Sequence, residues 1–385
     1  MSHFLVNKKL VNSLMHTHAT PVKIVTMNPD RDLPFQLAAR PRITRIRQVP
    51  ALALRSAKPE RLQPMAGFDA GYADIVDFIV RITEEIWVDR AVGRIYETYD
   101  HACTIYSPYG VVRSVQEVVA STVSTLNGFP DGELHHVNVA WDGDEAQGFY
   151  TSHLGYSRST NLGASNWGPA TGRRIGVHFV ADCVARGNLI HTEWLVRDNG
   201  AVVRQLGLDA HVVARRIADG HTGSQRVHSS PTALLGQAPR PSLQAADDGV
   251  ESWARVMFDQ LWNQRRLDRL GLYFSTDSVC HAGGGRVAAG LRNQQALMLL
   301  MLSAMPDAVM QVDKVSWSDE TDGVIVAVRW RLEGSSQPGA LFGDCPANKP
   351  VLLNGMSHLR LSGAQIVEHW MIFDEIGALA GIYRA

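Results

Sequence analysis

The chain repeats itself. Trp87 returns as Trp262, and Trp141, Gly187, Trp194 and Asp198 return as Trp317, Gly363, Trp370 and Asp374. The last four pairs share one spacing, and the first departs from it by a single position. Phe129-Pro130-Asp131 recurs as Met305-Pro306-Asp307 in the same phase. A period this long exceeds a solenoid unit and is enough chain to bury a core of its own. Two copies of one domain are therefore expected, at 71–209 and 250–385. An N-terminal arm over 1–70, partly disordered and draped over one domain, and a linker over 210–249 complete the chain. Met27 is a candidate start, with the residues before it an over-extended reading frame or a tail.

The formal net charge of −1 over 385 residues offers no electrostatic handle for nucleic acid or an anionic membrane, and neither is expected as a partner. No apolar run is long enough to span a bilayer, and the N-terminus lacks a secretory pattern. Cys103, Cys183, Cys280 and Cys345 lie far apart, which suits buried reduced thiols in a cytoplasmic setting. No HExxH or Cys/His cluster has metal spacing. The adjacent pair His135-His136 is a poor chelate on a strand, because its rings point to opposite faces. No metal and no cofactor are expected.

Each copy opens with a helix. Ile75, Phe78, Ile79, Ile82 and Ile86 recur at helical spacing, as do Trp253, Met257, Leu261 and Trp262. Second helices are predicted over 115–126 and 291–305. Four strand-like runs follow in each copy: 134–141, 147–153, 174–185 and 189–198, then 309–317, 324–332, 351–361 and 365–374. Polar, glycine-rich loops are expected at 155–172 and 334–349. Helices followed by an antiparallel meander indicate an α+β fold, a curved sheet wrapped round N-terminal helices into a cone. A concave mouth suits a small ligand.

Specific residues sharpen this. Ile366-Val367-Glu368-His369-Trp370-Met371-Ile372-Phe373-Asp374 closes the second copy; Thr151-Ser152-His153-Leu154-Gly155, Thr171-Gly172-Arg173-Arg174 and Gln205-Leu206-Gly207 punctuate the first. Together they resemble the SnoaL-like polyketide cyclase branch of the NTF2-like superfamily, present as a tandem pair. The resemblance implies cofactor-independent chemistry by an aspartate and a histidine. The copies depart from each other. The family's glutamate position holds Thr192 in the first, with the carboxylate one residue later, and Arg329 is aligned with His153 in the second.

On the last strand of each copy, alternation puts Thr192, Trp194, Val196 and Asp198 on one face, and Glu368, Trp370, Ile372 and Asp374 on the matching one. If that face is concave, each cone has an indole floor and an acid at its rim. Asp198 and Asp374 are then the acid–base candidates, their carboxyls raised by an apolar surrounding; the alternative role is to cap the turns that follow. His153 and His358 are the candidate histidines, and Trp194, His178, Thr192, Trp370, Glu368 and Arg329 the candidate ligand contacts. His369 is expected to point away from the cavity, towards an interface. The loop Ala282-Gly283-Gly284-Gly285 reads as a tight connection.

The expected function is a cyclase, isomerase or lyase acting on a small apolar carbonyl compound, with the first copy the more active. The alternative is a non-catalytic protein that binds a hydrophobic ligand. In either case the second copy is expected to serve as scaffold in an intramolecular pseudo-dimer, with further homo-oligomers open.

Overall fold

The computed structural model describes residues 32–46, 60–107, 110–220, 242–339 and 341–385. The candidate start at Met27 and the Ser/Pro-rich stretch 229–241 lie outside the described residues. Residues 33–385 form one compact unit. None of the described helices is long and apolar enough to cross a membrane.

The order of elements over 75–205 recurs over 250–384. Helix α1 (Ile75–Trp87), strands β1 (Tyr99–Ser107) and β2 (Gly110–Val112), helix α2 (Val115–Gly128), strands β3 (Glu133–Asp144), β4 (Gly148–Thr160), β5 (Arg174–Arg186) and β6 (Leu189–Arg197), and helix α3 (Asn199–Gln205) make the first half. Helix α4 (Ala210–Asp219) follows, at the start of the expected linker, where sequence left a strand or a short helix open over Ala210–Ile217. The second half has α5 (Val250–Phe258), β7 (Phe274–Ala282), β8 (Arg286–Ala289), α6 (Leu291–Ala304), β9 (Val309–Glu320), β10 (Gly323–Ser335), β11 (Pro350–Ser362), β12 (Gln365–Phe373) and α7 (Glu375–Arg384).

Local chemistry explains the starts and turns. Asp74 caps α1, accepting from the amides of Val76 and Asp77 at 2.9 Å each. Ser114 caps α2 through the Glu117 amide. Between β5 and β6, Gly187 and Asn188 both take positive φ, as a two-residue hairpin turn requires. Strand β4 runs to Thr160, past the expected loop start at 155, because Ser157 and Ser159 keep pairing with β5.

The strands form one mainly antiparallel sheet in the order β2-β1-β6-β5-β4-β3-β9-β10-β11-β12-β7-β8. Read outwards from the join, both halves follow the same order. The join itself pairs Trp141 with Trp317, its own counterpart in the repeat, so a local two-fold axis passes between them. The arm seals it. The Arg40 guanidinium donates to the carbonyls of Trp141 (2.6 Å) and Trp317 (3.1 Å) and lies over both indoles, 4.9 and 4.0 Å from the ring centres. It also pairs with Asp142, which Lys314 approaches from the other half at 2.6 Å. The arm was expected over one domain, but it touches both. Phe35 packs on Trp253 of the second half, while Thr44 bonds Asp74 of the first.

Beyond the join the halves stand back to back. Leu154, Val180 and Val196 pack with Met356, Trp370 and Ile372, with Trp194 at the edge of the same cluster. Removing Arg40 leaves two strand carbonyls and Asp142 short of a charged donor. Arg40→Ala is therefore expected to lower stability by about 2 kcal/mol, read from the denaturant midpoint, with secondary structure unchanged.

Candidate functional site

Back-to-back packing decides which face of each sheet can enclose a space. The Trp194 and Trp370 faces are consumed against each other, so the opposite faces turn inward. In the first half this inner face encloses a cavity of about 560 Å³, within the range of small-molecule sites. Its walls are apolar: Ile82 and Ile86 of α1, Val177 and Phe179 of β5, Leu195 of β6 and Phe129.

Besides Arg197, Glu133, Asn199 and a row of serine and threonine hydroxyls, two polar groupings enter that wall. On β6, Glu193 lines the cavity, and the Tyr99 hydroxyl donates to its Oε2 at 3.0 Å. Burial raises the Glu193 carboxyl above the usual carboxylate range, against the hydrogen bond from Tyr99 and the positive charge of Arg197. Burial likewise raises the Tyr99 phenol, with Glu193 adding to it. On β4, His153 lines the cavity and meets His136, whose Nδ1 lies 2.8 Å from the His153 Nε2. His136 Nε2 in turn lies 2.8 Å from Glu84 Oε1 on α1. Burial, with His136 and His358 nearby, holds the His153 imidazole well below its usual range, so it is neutral at pH 7. A neutral imidazole and a buried carboxyl lining the same largely apolar cavity can divide the work, one taking a proton from a carbon while the other steadies the charge left behind.

Among the described residues, the matching inner face of the second half leaves a space of about 30 Å³, the room of one water molecule. Register explains the filling. His153 pairs with Val139 and Ala181, and Val328 pairs with Val315 and Ser357, so Val328 holds the place of His153. The sequence alignment with Arg329 was one residue out. By the same register Val312 stands for His136, Trp330 for Gly155 and His369 for Glu193. The cross-strand pair Gly155–Phe179 becomes Trp330–Gly355, with the indole lying where a Cβ on Gly355 would be 2.1 Å away. On α2 the cavity meets Ser121, Thr122 and Thr125; at the matching positions of the repeat, α6 offers Leu297, Met298 and Met301. Trp330 and the three α6 side chains are larger and apolar, so the space closes.

Only His153 among the sequence-derived candidates reaches the cavity. Asp198 caps α3 through the Ala201 amide at 2.9 Å and accepts from the amides of Gly284 and Gly285, fastening the second half's glycine turn. Asp374 caps α7 through Ile376 and Gly377 and accepts from Asn199 of the first half. Both carboxyls are buried but engaged by backbone amides, the capping role that the sequence also allowed. His358 lies between the halves, with Nε2 2.9 Å from Ser152 Oγ and Nδ1 against Asn138 Oδ1; burial takes its pKa down to about 3. Arg329 stacks over Trp194 at 3.7 Å and faces the buried Asp182 at 3.7 Å. His178 and His281 approach each other between the halves, and His281 stacks on Trp370 and faces Glu368, which also pairs with Arg360. Thr192 shares the outer face with Trp194. These residues were placed one strand face out, because sequence alternation gives two faces without saying which is concave. The same error put His369 at an interface, whereas it lines the residual space of the second half.

Sequence reasoning missed Glu84, His136, Tyr99 and Glu193 as a group. Glu193 carried a signal, as the carboxylate displaced by one residue from the family position. His136 was dismissed with its neighbour as a chelate, yet pairing with another histidine needs only one ring on the inner face. Among the described residues, no group of three or more His, Cys, Asp or Glu side chains is placed to hold a metal ion.

Residues 253–382 match the family model of SnoaL-like polyketide cyclases. One SnoaL-like domain therefore covers the second half. Solved structures similar to parts of the chain include a protein described as a SnoaL-like polyketide cyclase from Jannaschia sp. CCS1. It is 20% identical, covering 39% of this chain and 99% of that one, with a TM-score of 0.30. TsrD from Streptomyces laurentii is 17% identical over 35% of this chain and 97% of its own, TM-score 0.31. IdmH from Streptomyces antibioticus, described as a polyketide cyclase, is 21% identical over 34% and 97%, TM-score 0.29. No curated protein sequence matches the chain.

Two outcomes follow from this packing. Trp330→Ala is expected to cost about 3–5 kcal/mol and to open the second half to a small apolar probe, read by denaturation and by probe binding. Asp374, raised to about 7 by burial, keeps its proton in the native state where the unfolded chain has lost it. Its contribution is thus full below the unfolded pKa and is lost as pH rises from about 4 to 7, by up to about 1.4 kcal/mol per pH unit. Asp374→Asn, which can still cap α7, is expected to flatten that slope in urea midpoints measured across this range.

Proposed function

We propose that the first half is a cofactor-independent enzyme site that moves a proton on a small, largely apolar carbonyl compound, as an isomerase, lyase or cyclase. His153 is the base. Glu193, with the Tyr99 hydroxyl donating to its Oε2, is the acid that steadies the developing oxyanion and returns the proton. The observation that carries this reading is one cavity of about 560 Å³ with apolar walls and those groups set into it. Burial favours the protonated form of the Glu193 carboxyl, the form that can donate, and a neutral histidine can accept.

The second half is read as a duplicated copy turned scaffold. It keeps the fold and the back-to-back face, and has exchanged the cavity for packed Trp330, Leu297, Met298 and Met301. The whole is a pseudo-dimer within one chain, with the arm and α4 bracing it.

The reading is tested without knowing the natural substrate. A panel of cyclic and bicyclic ketones is incubated with the protein in heavy water, and mass spectrometry follows deuterium entering carbons next to the carbonyl. At least one ketone is expected to exchange faster with the protein. His153→Ala should lose about 10²–10⁴-fold of that enhancement and Glu193→Gln a smaller part. Saturable binding of the panel with no exchange would favour a hydrophobic-ligand carrier instead.

A further inference from the structure

We propose that Glu84 and His136 are positioning residues that hold His153 as the Nε2–H tautomer and, resting on the reading above, provide the route by which its proton leaves. The three side chains form a chain from α1 through β3 to β4, with both contacts at 2.8 Å and the two imidazole planes within 19° of each other.

The tautomers follow from donor and acceptor roles. An ionised Glu84 can only accept, so His136 carries its hydrogen on Nε2. With its one ring hydrogen on Nε2, His136 presents a bare Nδ1, and the group facing that nitrogen must donate. His153 therefore carries its hydrogen on Nε2 and leaves Nδ1 unprotonated. That Nδ1 makes no hydrogen bond among the described residues, and the ring lines the cavity. The chain thus leaves an unengaged lone pair on His153, the histidine that among the described residues lines the enclosed space.

The same chain answers a difficulty in using a buried base. An imidazolium at His153 would stand in an apolar wall beside two other histidines, and its surroundings disfavour that charge. With the chain in place, the proton taken at Nδ1 of His153 is matched by transfer of the Nε2 proton to Nδ1 of His136. His136 passes its own Nε2 proton to Glu84. One proton enters, two shift, and the result is two neutral rings and a neutral carboxyl. Within the protein only N–H and O–H bonds change; the substrate's C–H bond breaks, and the charge of the Glu84 carboxylate is cancelled as an equal negative charge appears on the substrate oxygen, so no cation is left in the apolar wall.

The second half provides an internal comparison. Where the cavity is filled, His136 and His153 are both replaced, by Val312 and Val328. Asp259, at the position of Glu84 in the repeat, turns instead to the Leu243 amide and to Asn263. Chain and cavity are absent together in the second half.

The test is the ¹⁵N spectrum of the histidine side chains in the full-length protein, free of any ligand, at neutral pH. His136 and His153 are expected as single Nε2–H tautomers, each with an unprotonated Nδ1. In Glu84→Leu, which removes the acceptor, the His153 signals should move to a mixture of tautomers. An Nδ1–H tautomer at His153 in the wild-type protein overturns the proposal, and so does an unchanged His153 spectrum in a folded Glu84→Leu variant. If that variant does not fold, the wild-type spectrum decides alone. Predicted tautomers together with no ketone exchange would leave the chain standing and remove the enzymatic reading. Ketone exchange with the opposite tautomer would do the reverse.

Discussion

The outer faces of the two sheets are buried against each other, and most of what the molecule can do follows from that contact. Strand side chains alternate, so a face buried between the halves fixes its opposite as the only place for a cavity. Trp194, Val196, Trp370 and Ile372 are committed to standing back to back. Glu193, Leu195, His369 and Met371 are what remains to face inward. The contact is also polar at its centre, where Ser152, Asp182, His358 and Asn138 join across it. Buried hydrogen bonds of this kind penalise any sliding of one sheet over the other, since each slip strands a donor or acceptor. The Trp141–Trp317 bridge and the Arg40 guanidinium close the one edge where the backbones meet.

Within that frame the two halves differ by a handful of side-chain volumes. Gly155 opposite Phe179 leaves room in the first; Trp330 opposite Gly355 removes it in the second. Small hydroxyl residues on α2 leave further room, and Leu297, Met298 and Met301 on α6 take it away. The polar groups follow the volume. A second pocket that had kept its histidines after losing its space would bury imidazoles against apolar side chains with no compensating partner, at a cost of kilocalories per group. Valines at 312 and 328 avoid it.

Much of the architecture was legible in the sequence, because the signals are periodic. The apolar stripe of α1 announced a helix, Gly187-Asn188 announced a hairpin, and the recurrence of Trp141 and Trp194 at one shared spacing announced equivalent strands. The candidate site was less legible for a single reason. Alternation along β6 separates Thr192-Trp194-Val196 from Glu193-Leu195-Arg197, but either set could be concave, and apolarity favoured the tryptophans. The deciding fact is long-range: Trp194 has its partner cluster in the other half of the chain. Asp198 and Asp374 looked reactive because an acid after a strand looks the same whether it serves a ligand or the first turn of a helix, and α3 and α7 were not foreseen. Glu84–His136–His153 was invisible for a related reason, since its members come from three elements and only their packing aligns them.

The most direct test of the account is where an apolar carbonyl compound binds. A crystal of the protein soaked with a brominated bicyclic ketone would locate it by anomalous scattering from the bromine. The account predicts one peak in the first half, inside the wall made by Ile82, Phe179 and Leu195, with the carbonyl oxygen towards Tyr99 and Glu193 and nothing in the second half. A peak between the halves against Trp194 and Trp370, or none in the first-half cavity, would contradict it.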